Sequence, residues 1–238
     1  MENLIELSGV TLSYPPATRG IRSLFTKQTK KPLALNDISF VLPKGQSLAL
    51  IGLNGSGKSS LLRVLAQIYH PDKGIVKING RTAALFNVGI GMRVDMSGRS
   101  NVMIMGMVSG FSKKMMLKLM PEIIKFSELA DVIDDPVHTY SQGMAMRLSF
   151  ATATAINPEI LLLDEWIGAG DRVFRQKAEE RLDGMVKKAK GFVLASHNTA
   201  IVKRYCQKAI WLHEGKCKLI GNVDYVIDEF NQFTTSNK

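Results

Sequence analysis

Eight consecutive residues, Gly52 to Ser59, have the composition of a loop that wraps around a phosphate group. The run Gly-Leu-Asn-Gly-Ser-Gly-Lys-Ser fits the pattern GxxxxGK[ST], and its neighbours predict a strand before it and a helix after it. Glycines let the backbone approach a phosphate closely, and amide groups at a helix N-terminus attract negative charge. The motif therefore predicts a nucleotide-binding P-loop.

The side chains of this loop suggest how a nucleotide would be held. Lys58 is predicted to reach the β- and γ-phosphates, and the Ser59 hydroxyl is predicted to ligate Mg²⁺. The hydroxyl of Ser60 could add a contact to the α-phosphate. We expect ATP and Mg²⁺ as ligands, and the predicted nucleotide contacts in this segment are Asn54, Gly55, Ser56, Gly57, Lys58, Ser59 and Ser60.

A second motif combines an apolar strand with two acidic residues. The segment 160–163 reads Ile-Leu-Leu-Leu and leads directly into Asp164 and Glu165. Alone this pattern is weak, but downstream of a P-loop it predicts a metal-holding carboxylate followed by a catalytic one. Asp164 would hold Mg²⁺, mainly through water, and Glu165 would act as the general base that polarises the attacking water.

A third motif, Tyr140-Ser141-Gln142-Gly143-Met144, precedes an apolar helix and resembles the signature sequence of the ATP-binding cassette (ABC) family. Ser141 is placed as the N-cap of that helix, whose N-terminal end is positive. The resemblance implies that Ser141 and Gly143 contact the γ-phosphate of ATP held by a partner subunit. It also implies a head-to-tail homodimer that sandwiches two ATP molecules.

Other positions resemble the same family. His197, after a predicted strand, corresponds to the switch histidine that contacts the γ-phosphate, and Tyr14 to an aromatic residue that stacks on adenine. The segment 168–171 corresponds to the D-loop of the dimer interface. The family's glutamine between the P-loop and the signature is missing here, and Asn87 is the candidate replacement.

Departures from the common family pattern are similar to one branch, the polysaccharide exporters. They are the altered signature, the absence of proline after Glu165, the segment 97–101 and the long insert between Tyr14 and the P-loop. The resemblance implies an ATPase subunit that drives export of a lipid-linked O-antigen, capsular polysaccharide or teichoic acid through a separate integral membrane permease. It would lie on the cytoplasmic face of the bacterial inner membrane. Only a short tail follows Gly221, so we expect no carbohydrate-binding domain after the cassette.

Strands that alternate with helices predict an α/β fold with a mainly parallel sheet covered on both faces. The resemblance implies an ABC ATPase fold with a RecA-like core, an N-terminal antiparallel β portion and a helical subdomain. We expect one domain over residues 1–238, with the core at about 1–87 and 157–220, the helical signature subdomain at about 88–156 and a tail at 221–238. The individual elements expected are strands at 5–14, 34–42, 47–51, 75–78, 160–163 and 192–195, helices at 60–69 and 173–188, a mostly helical stretch at 98–155 and a hairpin at 209–220.

Composition limits the function classes. The chain of 238 residues is 45% hydrophobic and 22% charged, which is typical of a globular protein. It has no apolar run long enough to span a membrane, no secretory signal pattern, and two cysteines that form neither a metal motif nor a disulfide framework. These features favour a cytosolic protein.

The net charge of +10 suits an anionic partner, or is simply solvated surface. Residues 15–32 hold five basic residues and no acidic one, and could form a helix on an anionic lipid face or a surface loop. Segment 92–120 holds eight of the twelve methionines, which either fill a small core or receive a helix of the membrane subunit. Two competing functions remain: an importer ATPase for a small solute, which shares every catalytic motif, and a soluble ABC ATPase acting on nucleic acid. Proteins of the second kind usually carry a duplicated cassette or a coiled-coil insert. Neither appears in this sequence, so we expect no nucleic-acid partner.

Overall fold

A computed structural model describes residues 2–14, 32–85, 92–164 and 172–236 of the protein. The described strands, numbered in chain order, are β1 (Asn3–Ser13), β2 (Leu33–Pro43), β3 (Ser47–Ile51), β4 (Lys73–Ile78), β5 (Thr82–Ala84), β6 (Ile160–Asp164), β7 (Gly191–Ala195), β8 (Lys208–His213) and β9 (Lys216–Asn222). The described α-helices are α1 (Lys58–Leu65), α2 (Gly98–Val108), α3 (Lys113–Ser127), α4 (Gln142–Thr154), α5 (Arg172–Lys188), α6 (Thr199–Tyr205) and α7 (Val223–Ser236). The α/β class predicted from the sequence is confirmed.

The chain packs as two compact units. The first consists of Met1–Thr82, Leu162–Glu165 and Lys190–Lys238, and the second of Ala83–Leu161 and Trp166–Ala189. Helix α5 therefore belongs to the second unit, together with α2, α3 and α4. The subdomain limits expected from the sequence, 88–156 for the helical part, stay a prediction.

The N-terminal sheet is antiparallel and has the order β2-β1-β4. Strand β1 buries Ile5, Leu7, Val10 and Leu12, and alternates over much of its length between buried and more exposed side chains. Such alternation is typical of a sheet that packs on one face. It agrees with the predicted antiparallel portion at the N-terminus.

The larger sheet has the order β5-β6-β7-β3-β8-β9. Its strand β3 pairs in parallel with β7 on one side and with β8 on the other, and all five β3 residues are buried. Complete burial of a short apolar strand is what a parallel sheet covered on both faces requires. Strand β9 ends the sheet by pairing antiparallel with β8 across the turn at Glu214 and Gly215.

Helix α1 is shorter than the sequence predicts. We expected it to run to Tyr69 and to end at the turn that begins with Pro71, but it ends at Leu65. The reason is Gln67, whose φ of 58° is left-handed, and the amides of Ile68 and Tyr69 then turn back to the carbonyl of Arg63. A left-handed residue after the last turn is a common way to end a helix.

The helices of the second unit surround their own core. Residues 98–155 are mostly helical, as predicted, and the fully buried side chains of Val102, Met116, Ile123 and Leu148 come from α2, α3 and α4. The eight methionines of 92–120 are divided: Met105, Met116 and Met120 are buried, Met92, Met103 and Met115 are half-buried, and Met96 and Met107 are exposed. Both interpretations of this segment therefore have residues to support them. Within the described ranges, none of the helices combines the length and apolar character needed to cross a bilayer.

The C-terminal segment is a helix rather than a plain tail. Helix α7 buries Val223, Val226 and Ile227 and carries Phe230, which lies edge-to-face against the indole of Trp211 on β8. The ammonium of Lys218 on β9 lies over the indole of Trp211 and over the ring of Phe233, which is also on α7, at 4.1 and 3.5 Å from the two ring centroids. These contacts fasten α7 to the β8–β9 hairpin of the first unit. Helix α6 was likewise not predicted.

Candidate nucleotide-binding site

The loop between β3 and α1 takes a backbone path that requires glycine. Gly52, Gly55 and Gly57 all have positive φ, and at Gly57 the value is 107°. A Cβ atom on Gly57 would lie only 2.7 Å from the carbonyl oxygen of Ala34, so no other residue fits there without a shift of the backbone. The three glycines thus bring the loop round to the N-terminus of α1, as the motif predicts.

The ammonium group of Lys58 lies inside this loop. Its Nζ donates hydrogen bonds to the carbonyl oxygens of Gly52, at 2.7 Å, and Leu53, at 3.0 Å, and the residue is only 8% exposed. The Ser56 hydroxyl is also buried and has no hydrogen-bond partner among the described residues. A phosphate group bound in this loop would satisfy the buried hydroxyl and pair with the buried cation. The residues present therefore fit a nucleotide phosphate.

The first turn of α1 carries the two remaining loop serines. Ser59 is half-buried, whereas Ser60 is 7% exposed and shares a 2.7 Å hydrogen bond with the hydroxyl of Tyr14. The ring of Tyr14 meets Tyr69 edge-to-face with centroids 5.9 Å apart, and Tyr14 itself is 38% exposed. Tyr14 is thus tied to the P-loop helix, and its stacking on adenine stays a prediction. Asn54 and Gly55, at the tip of the loop, are exposed.

Further predicted residues follow the carboxyl ends of strands in the same sheet. Strands β3 and β7 run parallel, so the P-loop after β3 and His197 after β7 lie at the same edge. Asp164 is the last residue of β6, the neighbour of β7, and its side chain is half-buried. His197 is exposed, and the next residue, Asn198, caps α6 by accepting hydrogen bonds from the amides of Ala200 and Ile201. Ligand sites of open parallel sheets form at this edge.

The signature segment has the predicted N-cap. Ser141 has extended φ and ψ, and its Oγ accepts a hydrogen bond of 3.2 Å from the amide of Met144. This hydrogen bond caps the N-terminus of α4. The residue is exposed, so its own O–H remains able to donate. A Cβ on Gly143 would meet only the Ser141 Oγ, at 3.9 Å, so the backbone there is open to an approaching group.

Residues 35–168 match the family described as ABC transporter, which covers more than half of the chain. The chain belongs to the ABC transporter family. This identification confirms the family resemblance that the P-loop and the signature carried.

Relatives with curated names point to one branch of the ABC family. The chain is 41% identical over 199 residues to the O-antigen export system ATP-binding protein RfbB of Myxococcus xanthus, covering 84% of this chain and 46% of that protein. It is 34% identical over 243 residues to the RfbB of Klebsiella pneumoniae, covering 98% of this chain and 99% of that protein. The chain thus spans about half the length of the Myxococcus relative and nearly all of the Klebsiella one.

A solved structure supports the fold. The "Structure of ATP binding subunit of ABC transporter" superimposes with a TM-score of 0.73, at 23% identity, over 96% of this chain and 93% of the other. At that identity the likeness concerns the fold alone, and it confirms the ABC ATPase architecture expected from the sequence.

Sequence reasoning missed the support behind the P-loop of this ABC protein. The amide of Gly215, in the β8–β9 turn, donates to the carbonyl oxygen of Ser56 at 3.1 Å, and the carbonyl of Gly215 accepts from Asn36 at 2.8 Å. A turn was predicted at Glu214-Gly215, but its partner lies far away in the chain, and no local pattern reveals such a contact.

Several predicted features lie outside the described residues. They are the candidate base Glu165, the D-loop at 168–171, the candidate replacement Asn87 and nearly all of the basic segment 15–32. Their predicted roles rest on the sequence alone.

Proposed function

We propose that this chain is the ATP-hydrolysing subunit of a bacterial ABC exporter that moves a lipid-linked polysaccharide, of O-antigen or capsular type, through a separate membrane subunit. The observation that carries the ATPase part is the P-loop, which contains both the buried Lys58 ammonium and the buried hydroxyl of Ser56, the latter without a hydrogen-bond partner among the described residues. The polysaccharide part rests on the relatives, which are named as O-antigen export proteins.

In this proposal the P-loop holds the nucleotide. Lys58 releases the carbonyls of Gly52 and Leu53 in favour of the β- and γ-phosphates, because a charged oxygen is a stronger acceptor than a peptide carbonyl. The first-turn amides of α1 add the charge attraction of a helix N-terminus. Ser59 and Asp164 would hold Mg²⁺, which neutralises charge on the phosphate oxygens. Tyr14, held in place by its hydrogen bond to Ser60, would lie against the adenine end of the nucleotide.

Hydrolysis is assigned to Glu165 and to His197, which lies at the carboxyl end of β7. Glu165 follows directly on Asp164 and would accept a proton from the attacking water, while His197 would contact the γ-phosphate. His197 is exposed and follows the carboxyl end of β7, which suits a group that contacts the γ-phosphate end of a nucleotide. Removing Glu165 should therefore abolish turnover while leaving nucleotide binding intact.

The working unit in this proposal is a head-to-tail homodimer. Ser141 and Gly143 lie at the exposed N-terminus of α4, where donors can reach a negatively charged phosphate from outside the subunit. In the dimer they would contact ATP held by the partner's P-loop. Binding of two ATP molecules would close the dimer, and release of phosphate would reopen it.

The membrane subunit would bind the second unit, on the cytoplasmic face of the inner membrane. Helices α2 and α3 of this unit expose three large apolar side chains, Met107 at 46%, Val108 at 65% and Leu117 at 56% exposure. A flexible methionine among them suits the groove for a short helix. Closure of the dimer would be transmitted to the permease through this surface.

The testing experiment is purification of the tagged chain from solubilised membranes of its host, with mass spectrometry of what accompanies it and an ATPase assay of the complex. We expect a polytopic membrane protein and a Mg²⁺-dependent ATPase, and the gene neighbours of that protein should encode glycan assembly. Recovery with ribosomes or DNA and no membrane protein would overturn the exporter function. Purification with an importer permease would agree with the ATPase part of the proposal and contradict the polysaccharide-export part.

A further inference from the structure

The C-terminal end of the signature helix is held by a side chain from another helix. Arg181 on α5 donates two hydrogen bonds to the carbonyl oxygen of Thr154, the last residue of α4, from Nε at 3.1 Å and Nη2 at 3.0 Å. The last carbonyls of a helix lack partners within the helix, and this end carries partial negative charge. A guanidinium at this point therefore both satisfies a carbonyl and complements the helix dipole.

Aromatic packing and a carboxylate fix the guanidinium itself. Its Cζ lies 4.4 Å from the centroid of Phe126, its Nη2 also donates to Glu122 at 2.7 Å, and the Arg181 side chain is 18% exposed. Phe126 belongs to a group of three rings, with Phe150 on α4 and Phe174 on α5, whose centroids are 5.7 to 6.1 Å apart. Arg181 is thus rigidly placed at the junction of α3, α4 and α5.

A second connection joins the same two helices nearer the signature. Glu128 accepts a hydrogen bond from Lys177 on α5 at 2.7 Å and one from Arg147 on α4 at 3.4 Å. The guanidinium of Arg147 also lies 5.8 Å from the ring centroid of Phe174. Lys177 and Arg181 are four residues apart, so one face of α5 carries both connections, with Lys177 reaching α4 through Glu128.

We propose that Arg181, supported by Lys177, is a positioning residue that sets the direction of α4 and so aims Ser141 and Gly143 at the nucleotide. This inference rests on the proposed function. Helix α4 has 13 residues and is about 20 Å long. A tilt of about 5° at the Thr154 end would therefore move Ser141 by about 2 Å. Errors of about 1 Å in a catalytic group lower rates by about a hundredfold in some enzymes.

The test separates aiming from binding. In Arg181→Ala we expect the kcat of the ATPase, expressed per nucleotide-binding site, to fall about tenfold or more, because α4 loses its end contact. The Kd for a fluorescent ATP analogue should stay within about twofold, since the P-loop lies in the other compact unit. Arg181→Lys should restore part of the kcat, because an ammonium still donates to Thr154.

The matched control is Arg175→Ala, which removes the same charge from an exposed position on the same helix and should behave as wild type. Should Arg181→Ala fail to fold, Glu128→Gln removes, at a half-exposed site, the negative charge and one of the two carboxylate oxygens that accept from Arg147 and Lys177, and should lower kcat in the same selective way.

The outcomes distinguish the inference from the function on which it rests. Wild-type kcat in Arg181→Ala overturns the positioning role, and so does an equal loss in Arg175→Ala or a parallel loss of ATP affinity. In each of those cases the wild-type ATPase and the proposed function remain intact. A wild-type complex without ATPase activity would overturn both.

Discussion

At the scale of single residues, Lys58 is proposed to have two roles, one in the P-loop without nucleotide and one with nucleotide bound. Without nucleotide its ammonium satisfies the carbonyls of Gly52 and Leu53, and with nucleotide it is proposed to bind phosphate. A hydrogen bond to a charged group is worth about 1.5–3 kcal/mol. We therefore expect Lys58→Ala to raise the Kd for ATP by about 10- to 100-fold, measured by isothermal titration calorimetry.

The control for that measurement is Lys44→Ala in the same compact unit. Lys44 is about half exposed and pairs with the exposed Glu2, so its loss should leave ATP affinity unchanged. Circular dichroism should show both variants folded. An unchanged Kd in Lys58→Ala would contradict the assignment of Lys58 to the phosphates.

How far residues were predictable depends on whether their partners are close in sequence. The glycines of the P-loop and the Ser141 cap follow from short local patterns, because loop dihedrals and first-turn amides are set within a few residues. Arg181 and Gly215 escaped the sequence analysis, since the carbonyls they bind, on Thr154 and Ser56, are 27 residues or more away. Such contacts arise only when the chain has folded.

At the scale of elements, α7 shows a signal that was present and overlooked. Val223, Val226, Ile227 and Phe230 recur at helical spacing, and the structure buries the first three inside the first unit. Helix α1 shows the opposite error: its apolar residues suggested a longer helix, and the left-handed Gln67 ended it early. Strands such as β3 and β6 were easier to predict, since a fully apolar run between turns leaves few alternatives.

The packing of α7 predicts a measurable stability. Ile227 is 1% exposed, and truncation of a buried isoleucine to alanine costs about 2–5 kcal/mol because a cavity remains. We expect Ile227→Ala to lower the Tm by about 4 to 20 °C in a calorimetric scan of a protein of this size. Tyr225→Ala, two residues earlier and 55% exposed, should change the Tm little. Equal melting of both variants would mean that α7 does not contribute to the stability of the first unit.

At the scale of the whole molecule, the two compact units carry complementary halves of the proposed catalytic site. The P-loop, Asp164 and His197 belong to the first unit, and Ser141 with Gly143 belongs to the second. Neither half is sufficient in the proposed mechanism, because the signature acts on nucleotide bound by a partner. The dimer is predicted from the ABC family resemblance, and neither composition nor spacing in one chain could have predicted it.

A variant that binds ATP without hydrolysing it should therefore accumulate as a dimer. In Glu165→Gln the amide cannot accept the proton of the attacking water, so the closed state persists and turnover should fall by about a hundredfold or more. Sedimentation velocity with Mg²⁺ and ATP should show Glu165→Gln mainly as dimers, and as monomers with ADP. Adding Lys58→Ala to the same chain should abolish the ATP-induced dimers, since phosphate binding is lost. Monomers of Glu165→Gln at saturating ATP, or ordinary turnover, would remove Glu165 from its role and the ATP sandwich from the mechanism.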